Sequence, residues 1–587
     1  MLTGLAVFTL SGCTDKDYDL SNVDTTIGIG GDEFQIPASS TENIMLDDIL
    51  DLNDGDIVKI NPNGDYVLSL QGEDVEPSHP KVDPMTVDVQ KVSNHRIYLN
   101  NASNTSAVSR MRKAAGRYSV KGAASSFEYS GNVPKEIVNL CDVGVSSVAK
   151  ANLSFSQQLA ANVGKFKTIT VSLPKYMQAD YTQIPDIRHT SDGNSITFYD
   201  VPTSRSIPFL ININSLDFAK GQQGDDVLKF TKESHNEEGK VTMKGDIMFE
   251  ATFDEKVTSA DCYAELITNM EDITVKNATG YFDPDIDLTD LGDVNITNVP
   301  DFLKDDQVRV NVYNPLIEIT ASSDADVVGL VTGWLIATDE NGAEMARVRV
   351  PAEGENPIML NPTSTTKVLL CKYSDQVDAS QYSDVRQVPT LSKIVERIPS
   401  KLRFEVDAHA DKTRKSSAVL GHEYTIAPAY RVDAPLAFDK DARIVYRDTI
   451  DGWNDDIDKL SFADNSYLAF DTDVESRIPA YLSVNAFAIG TDGKALPDTD
   501  IEVAVSNGID ASPDGETVST SHLTVTLKEK AKGALKRVDG VAFRIQAASE
   551  AEGAPSIVGK TINAYKHTLV ARNIRVKLVG RVVADLN

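Results

Sequence analysis

Basic residues are scarce in this sequence: 57 Lys and Arg stand against 87 Asp and Glu, a formal net charge of −30. Binding nucleic acid needs a basic footprint that releases counterions, so this balance excludes that class of partner. It equally opposes docking on anionic lipid. Long apolar runs are missing too. None reaches the roughly 20 residues that span a bilayer as a helix, and the longest mid-chain run, Val327 to Ala337, is interrupted by Gly329, Thr332 and Gly333. Cysteine is rare, at 4 in 587 residues, and no two lie at C-x-x-C spacing. With Cys13 set aside, Cys141, Cys262 and Cys371 read as small buried hydrophobes, with room for one disulfide. Tryptophan is rarer still, at 2.

Catalytic signatures are also wanting. The 8 His residues show neither H-x-H nor H-E-x-x-H spacing, so no local zinc site is expected. No G-x-S-x-G elbow occurs. Gly553 to Thr561 resembles a phosphate loop, but five residues separate its glycines where four are needed. Pro555 also lacks an N–H to offer a phosphate, so no nucleotide is expected. No cofactor follows from any of these patterns, and the expectation is a non-enzyme. Asp283, Asp285 and Asp287 place carboxylates at alternate positions, as a Ca²⁺ site could use. Leu288 and Val294 occupy the positions where an EF-hand needs Gly and Glu, so a solvated acidic turn is the simpler reading.

What is present is a globular composition, 41% hydrophobic and 25% charged. Apolar and polar residues alternate at period two over Asp56–Ile60, Asp65–Leu70, Phe166–Leu173, Leu402–Val406, Leu523–Leu527 and Asn573–Val583. Such alternation predicts strands with one buried face. Asn61-Pro62-Asn63-Gly64 predicts a tight hairpin over 56–70. Helical patterns are few and short, with Glu42–Leu52 and Glu529–Val538 the best. A recurring apolar-Pro-x-x-apolar pattern (Val133 to Ile137, Ile398 to Leu402, Ile478 to Leu482, Leu173 to Met177, Val299 to Leu303) predicts strands that start just beyond each proline. Its irregular spacing suits tandem β-sandwich-like domains, mainly β, with few short helices.

The amino terminus carries the strongest functional pattern. Apolar residues 2 to 10 are followed by Leu10-Ser11-Gly12-Cys13, which resembles a bacterial lipobox, and Asp15, Lys16, Asp17 and Asp19 follow in an acidic, glycine-ended stretch. This layout resembles the cell-surface lipoproteins of unknown function of Bacteroidetes. The resemblance implies lipid on Cys13, an outer-membrane anchor, and surface export directed by the Asp15–Asp19 cluster, which read alone is simply a solvated tether. No Lys or Arg precedes the apolar core, so the start is expected to lie inside a longer signal. Asp24-Thr25-Thr26 and Asp448-Thr449-Ile450 resemble the O-glycosylation sequon of that phylum, which would place sugar on Thr25 and Thr449. Val308 to Thr332 resembles the strands of late-embryogenesis-abundant (LEA) sandwiches; with the immunoglobulin-like (Ig) pattern this makes the expected domains Ig/LEA-type.

The expected organisation is a signal over 1–13, a tether over 14–33, and a small hairpin unit and linker over 34–84. A β domain over 85–245, a sandwich-like domain over 246–390 and C-terminal β domains over 391–587 follow. Asn101–Ser126 is basic and reads as a solvated loop. The functional expectation is a non-catalytic surface protein for display, adhesion or assembly, its partner a surface protein or glycan. The alternative is capture of glycan or protein beside an outer-membrane transporter. For sugar stacking, Trp453 in a polar turn is the preferred ring, while Trp334, inside Leu330-Val331-Thr332-Gly333-Trp334-Leu335-Ile336, reads as core.

Overall fold

A computed structural model describes residues 26–29, 33–37, 40–50, 52–53, 56–72, 75–104, 117–234, 236–288, 293–454, 460–463, 466–580 and 582–585. The architecture is mainly β, built from antiparallel sheets with three short helices among the described residues. Cys13, the Asp15, Lys16, Asp17 and Asp19 cluster, and Thr25 lie outside the described residues.

Strand pairing reveals three nested units. The inner unit is a 16-stranded folded sheet whose strands run from Met85 to Phe282, with Ser416–Val419 added at Ile273–Phe282. Strand Met85–Asn94 forms the corner between its two layers. Met85 to Val87 pair with Val275 to Ile273, and from Asp88 onward the partners are Ser130 to Ser125. A bulge between Val89 and Lys91 supplies the bend, as an extra residue in one strand increases local twist. Between the layers lies a core that includes Phe166, Phe198, Phe249, Phe253 and Leu266, all fully buried. Alternation in Gly239–Phe253 puts Val241, Met243, Ile247 and Phe249 into this core. Each such side chain contributes about 1.5–3 kcal/mol on burial.

The middle unit is a sandwich. One layer holds Val58–Ile60, Tyr66–Gln71, Leu316–Ser323, Thr365–Cys371, Asp384–Gln387 and Ile426–Pro435. The other holds Asp293–Asn295, Gly329–Thr338, Glu344–Val350, Ile358–Leu360 and Lys401–Ala410. Phe404 from one layer meets Tyr430 from the other with ring centroids 4.3 Å apart. The outer unit pairs Glu33–Pro37 with Thr568–Val579, which also joins Tyr467–Ser476, and that strand continues to Ser519–Glu529. A three-stranded sheet of Arg443–Ile450, Gly540–Ala548 and Tyr481–Ile489 adjoins it, and Thr26–Ile29, Val582–Asp585 and Leu460–Phe462 form another.

This nesting differs from the linear organisation expected above. The hairpin over 56–70 forms, with Ile60 opposite Tyr66 and Asn61 Oδ1 accepting from the N–H groups of Asn63 and Asp65. It is no separate unit, because Val67 to Gln71 pair with Pro435 to Arg431 of the middle unit. The boundary expected at 245/246 falls inside strand Gly239–Phe253. The expected basic loop is also shorter, since Tyr118–Val133 is a strand. Its residues 105–116 lie outside the described residues.

Local signals fared unevenly. Four of the five proline patterns precede strands, which begin at Ile137, Met177, Lys401 and Tyr481. The fifth, Pro300, opens the short helix Asp301–Lys304, because a fixed φ suits a first turn equally well. The helix expected over Glu42–Leu52 is only Leu46–Leu50, since Ile44 and Met45 pair with Leu569 and Thr568. Glu529–Val538 yields a strand end and a single turn over Leu535–Arg537, with Gly533 at φ +75 between them.

Candidate functional site

The outer face of the middle unit's sheet Gly329–Thr338, Glu344–Val350 and Lys401–Ala410 carries the exposed tryptophan. Strand alternation sends Leu335 and Ala337 into the core and leaves Trp334 38% exposed on the other side. Its cross-strand partners are Arg349 on one side and Glu405 on the other. Directly opposed residues on one face lie close enough to interact. Gly333 makes the close approach possible: a Cβ there would stand 2.4 Å from the carbonyl oxygen of Glu405.

Charge surrounds the indole. The Arg347 guanidinium lies 5.2 Å from the ring centroid, in cation–π range, and donates to Glu405 at 3.0 Å. Arg403 pairs with the other oxygen of Glu405 at 3.4 Å, and Glu344 also pairs with Arg347. Arg349 forms no ion pair among the described residues. Farther along the same strands, Thr332 stands opposite Asp407, and Leu330 opposite His409 and Met359. From Leu330 to Trp334 the face thus offers one aromatic ring with hydrogen-bonding groups of both signs around it, while Ile336 and Thr338, next on the same side, are buried.

Trp453 is placed otherwise. It is half-buried, with its ring 5.6 Å from Phe470 at the margin of the outer unit's core. Its backbone N–H donates to the Asp539 carbonyl at 2.8 Å, and Asp539 Oδ1 accepts from the backbone N–H of Asn454 at 2.9 Å. Trp334, expected in the core, is thus the more exposed of the two rings, and Trp453 is half-buried. The signal was present in the sequence: Thr332 and Trp334 share a face at period two, and Arg347-Val348-Arg349-Val350 alternates beside them. Which face points outward depended on register with strands not adjacent in sequence.

The remaining sites are dispersed. Asp283, Asp285 and Asp287 lie along an extended segment whose Ile286 and Leu288 are buried, and Asp283 pairs with Lys412 at 3.6 Å. Among the described residues no three His, Cys, Asp or Glu come together as a metal-holding group. Thr449 is exposed on strand Arg443–Ile450. Cys262 and Cys371 are buried, Cys141 is half-buried, and all three are free. Sequence reading missed His522, whose Nδ1 sits 2.9 Å from Asp473 on the exposed face of the outer sheet. Asn573 and then His522 hold the Asp473 carboxyl below its ordinary range.

No family model matches the chain, and no curated protein matches it. Among solved structures, the chain is similar to a Parabacteroides distasonis protein proposed to be secreted, at 13% identity and a TM-score of 0.35, over 70% of this chain and 99% of that one. A Faustovirus major capsid protein aligns at 7% identity and a TM-score of 0.06, over 94% of this chain and 89% of that one.

Proposed function

We propose that this is a non-catalytic binding protein of the bacterial cell surface, anchored in the outer membrane by lipid on Cys13. Its work is adhesion or capture, and its ligand contact is the face around Trp334. The ligand is a glycan. The observation that carries this reading is the exposure of Trp334 between Arg349 and Glu405 on the neighbouring strands. An indole presents an apolar face to the C–H groups of a sugar ring, while Arg349, Glu405, Asp407 and His409 supply donors and acceptors for hydroxyls. Export is supported by the Leu10 to Cys13 pattern and the acidic stretch behind it.

A glycan array probed with wild type, Trp334→Ala and Trp453→Ala tests the contact. The expected result is a glycan bound by wild type and Trp453→Ala, and lost at least tenfold by Trp334→Ala. Equal binding by all three would move the contact elsewhere. No recognised glycan at all would return the face to a protein partner and a display or assembly role. Cys13→Ala should leave the membrane fraction and take up no labelled palmitate.

A further inference from the structure

A cavity of about 150 Å³ lies where the middle and outer units meet. Its walls come from both units and from the amino-terminal helix, and include Leu46, Val310, Ile444, Leu482, Ile545 and Ile562. Protein interiors rarely leave voids much larger than a water, and an unfilled apolar one is destabilising. Asp48, Asp448 and Tyr446 also border it, but most of the lining is apolar, so water finds few of the several polar partners it needs. An engineered apolar cavity of this size binds benzene.

The cavity also has a polar neighbour. Ile49, Leu50, Phe302 and Tyr446 line both it and a groove of about 600 Å³. That groove is walled by Asn53, Asp56, Asn298, Lys304, Asp305 and Arg447. Arg447 is held there by two bonds to Asp305 Oδ2, at 2.8 and 3.0 Å. An apolar chamber bordering a rim of fixed hydrogen-bonding groups matches a molecule with an apolar tail and a polar head.

We propose that this cavity binds the short aliphatic chain of an amphiphile, tail among Leu46, Ile444 and Leu482, head in the groove beside Asn298 and Arg447. The site is independent of the Trp334 face. The volume suits a few methylenes and not a whole lipid.

The probes are straight-chain 1-alkanols from butanol to decanol, titrated calorimetrically into the full chain. Affinity should rise about fourfold per methylene and then level off where the cavity is full. Ala480→Leu and Ala547→Val each add volume to the lining and should weaken binding at least tenfold, with melting temperature unchanged or raised. Absence of saturable binding below the alkanols' solubility limits would overturn the proposal. So would affinity that ignores chain length, or binding unchanged in fillers shown by circular dichroism to be folded. If neither filler folds, the wild-type chain-length series decides alone.

Discussion

His567 accepts a hydrogen bond at Nδ1 from the backbone N–H of Asn563, at 2.9 Å. The loop so fixed reaches across the molecule: Asn563 Nδ2 donates to the carbonyl of Asn63 and to Asp65 Oδ1, both at 2.9 Å. Ala564 N–H donates to the Gly64 carbonyl at 2.8 Å. One imidazole therefore supports the clasp between the hairpin of the middle unit and the last strands of the outer unit.

This clasp predicts a pH dependence. His567 is 4% exposed, and burial pushes its imidazole down to about 4, with Asp65 opposing and Lys566 assisting. The unfolded chain binds a proton near pH 6.5, where the folded chain does not, so this stability is present above pH 6.5 and is lost as pH falls toward 4. The loss reaches roughly 3 kcal/mol. Urea unfolding at pH 7.5, 6, 5 and 4 should show the decline, and His567→Gln should flatten it. An unaltered slope in that variant would remove His567 as its source.

Gly64 tests the same contact sterically. Its φ is +87, and a Cβ would stand 2.9 Å from the Tyr565 ring and 3.0 Å from the Asn563 amide. Gly342 has φ +79 with nothing within 4 Å. Gly64→Ala should therefore cost about 2–3 kcal/mol, and Gly342→Ala only about 1 kcal/mol, the left-handed backbone penalty. Equal losses on thermal or urea unfolding would mean the clasp yields freely.

Lys372 and Asp439 form an ion pair whose side chains are only 15% and 13% exposed. Asp439→Ala leaves an ammonium without its carboxylate, and should cost about 3–5 kcal/mol. The double variant Lys372→Met/Asp439→Leu should recover most of that loss, because neither charge then needs solvating. A double variant as unstable as the single one would place the cost in packing and not in charge.

A one-residue insertion after Val576 should be severe. Val576 and Leu578 share a face with Phe470 and Leu468 across the sheet, while Lys577 pairs with Asp471 at 2.6 Å on the other. The insertion sends Lys577 inward and breaks that pair, at a cost of several kcal/mol. The same insertion at Gly342, in an open turn, should shift the melting temperature little. Similar shifts from both would argue against register as the determinant.

Local physics was legible in the sequence. Period-two alternation set which segments become strands, and Asn61-Pro62-Asn63-Gly64 set the hairpin, because a turn's φ angles and Asx bonds are decided within four residues. Four of the five prolines marked where strands start, since a fixed φ and a missing N–H act at their own position, while Pro300 opened a helical turn. The nesting was decided only by tertiary structure. Gln35 pairs with Lys577, and Leu70 with Val432, across sequence separations that no local pattern spans. Those pairings cut short the helix expected over Glu42–Leu52, because a sheet bond at Ile44 and Met45 outweighs weak helical propensity. They also decided the two tryptophans. Alternation says that Trp334 and Leu335 point in opposite directions, but not which of them faces water. The register with Arg349 and Glu405, and the core on the far side, settled that, since a strand's buried face exists only once another layer covers it.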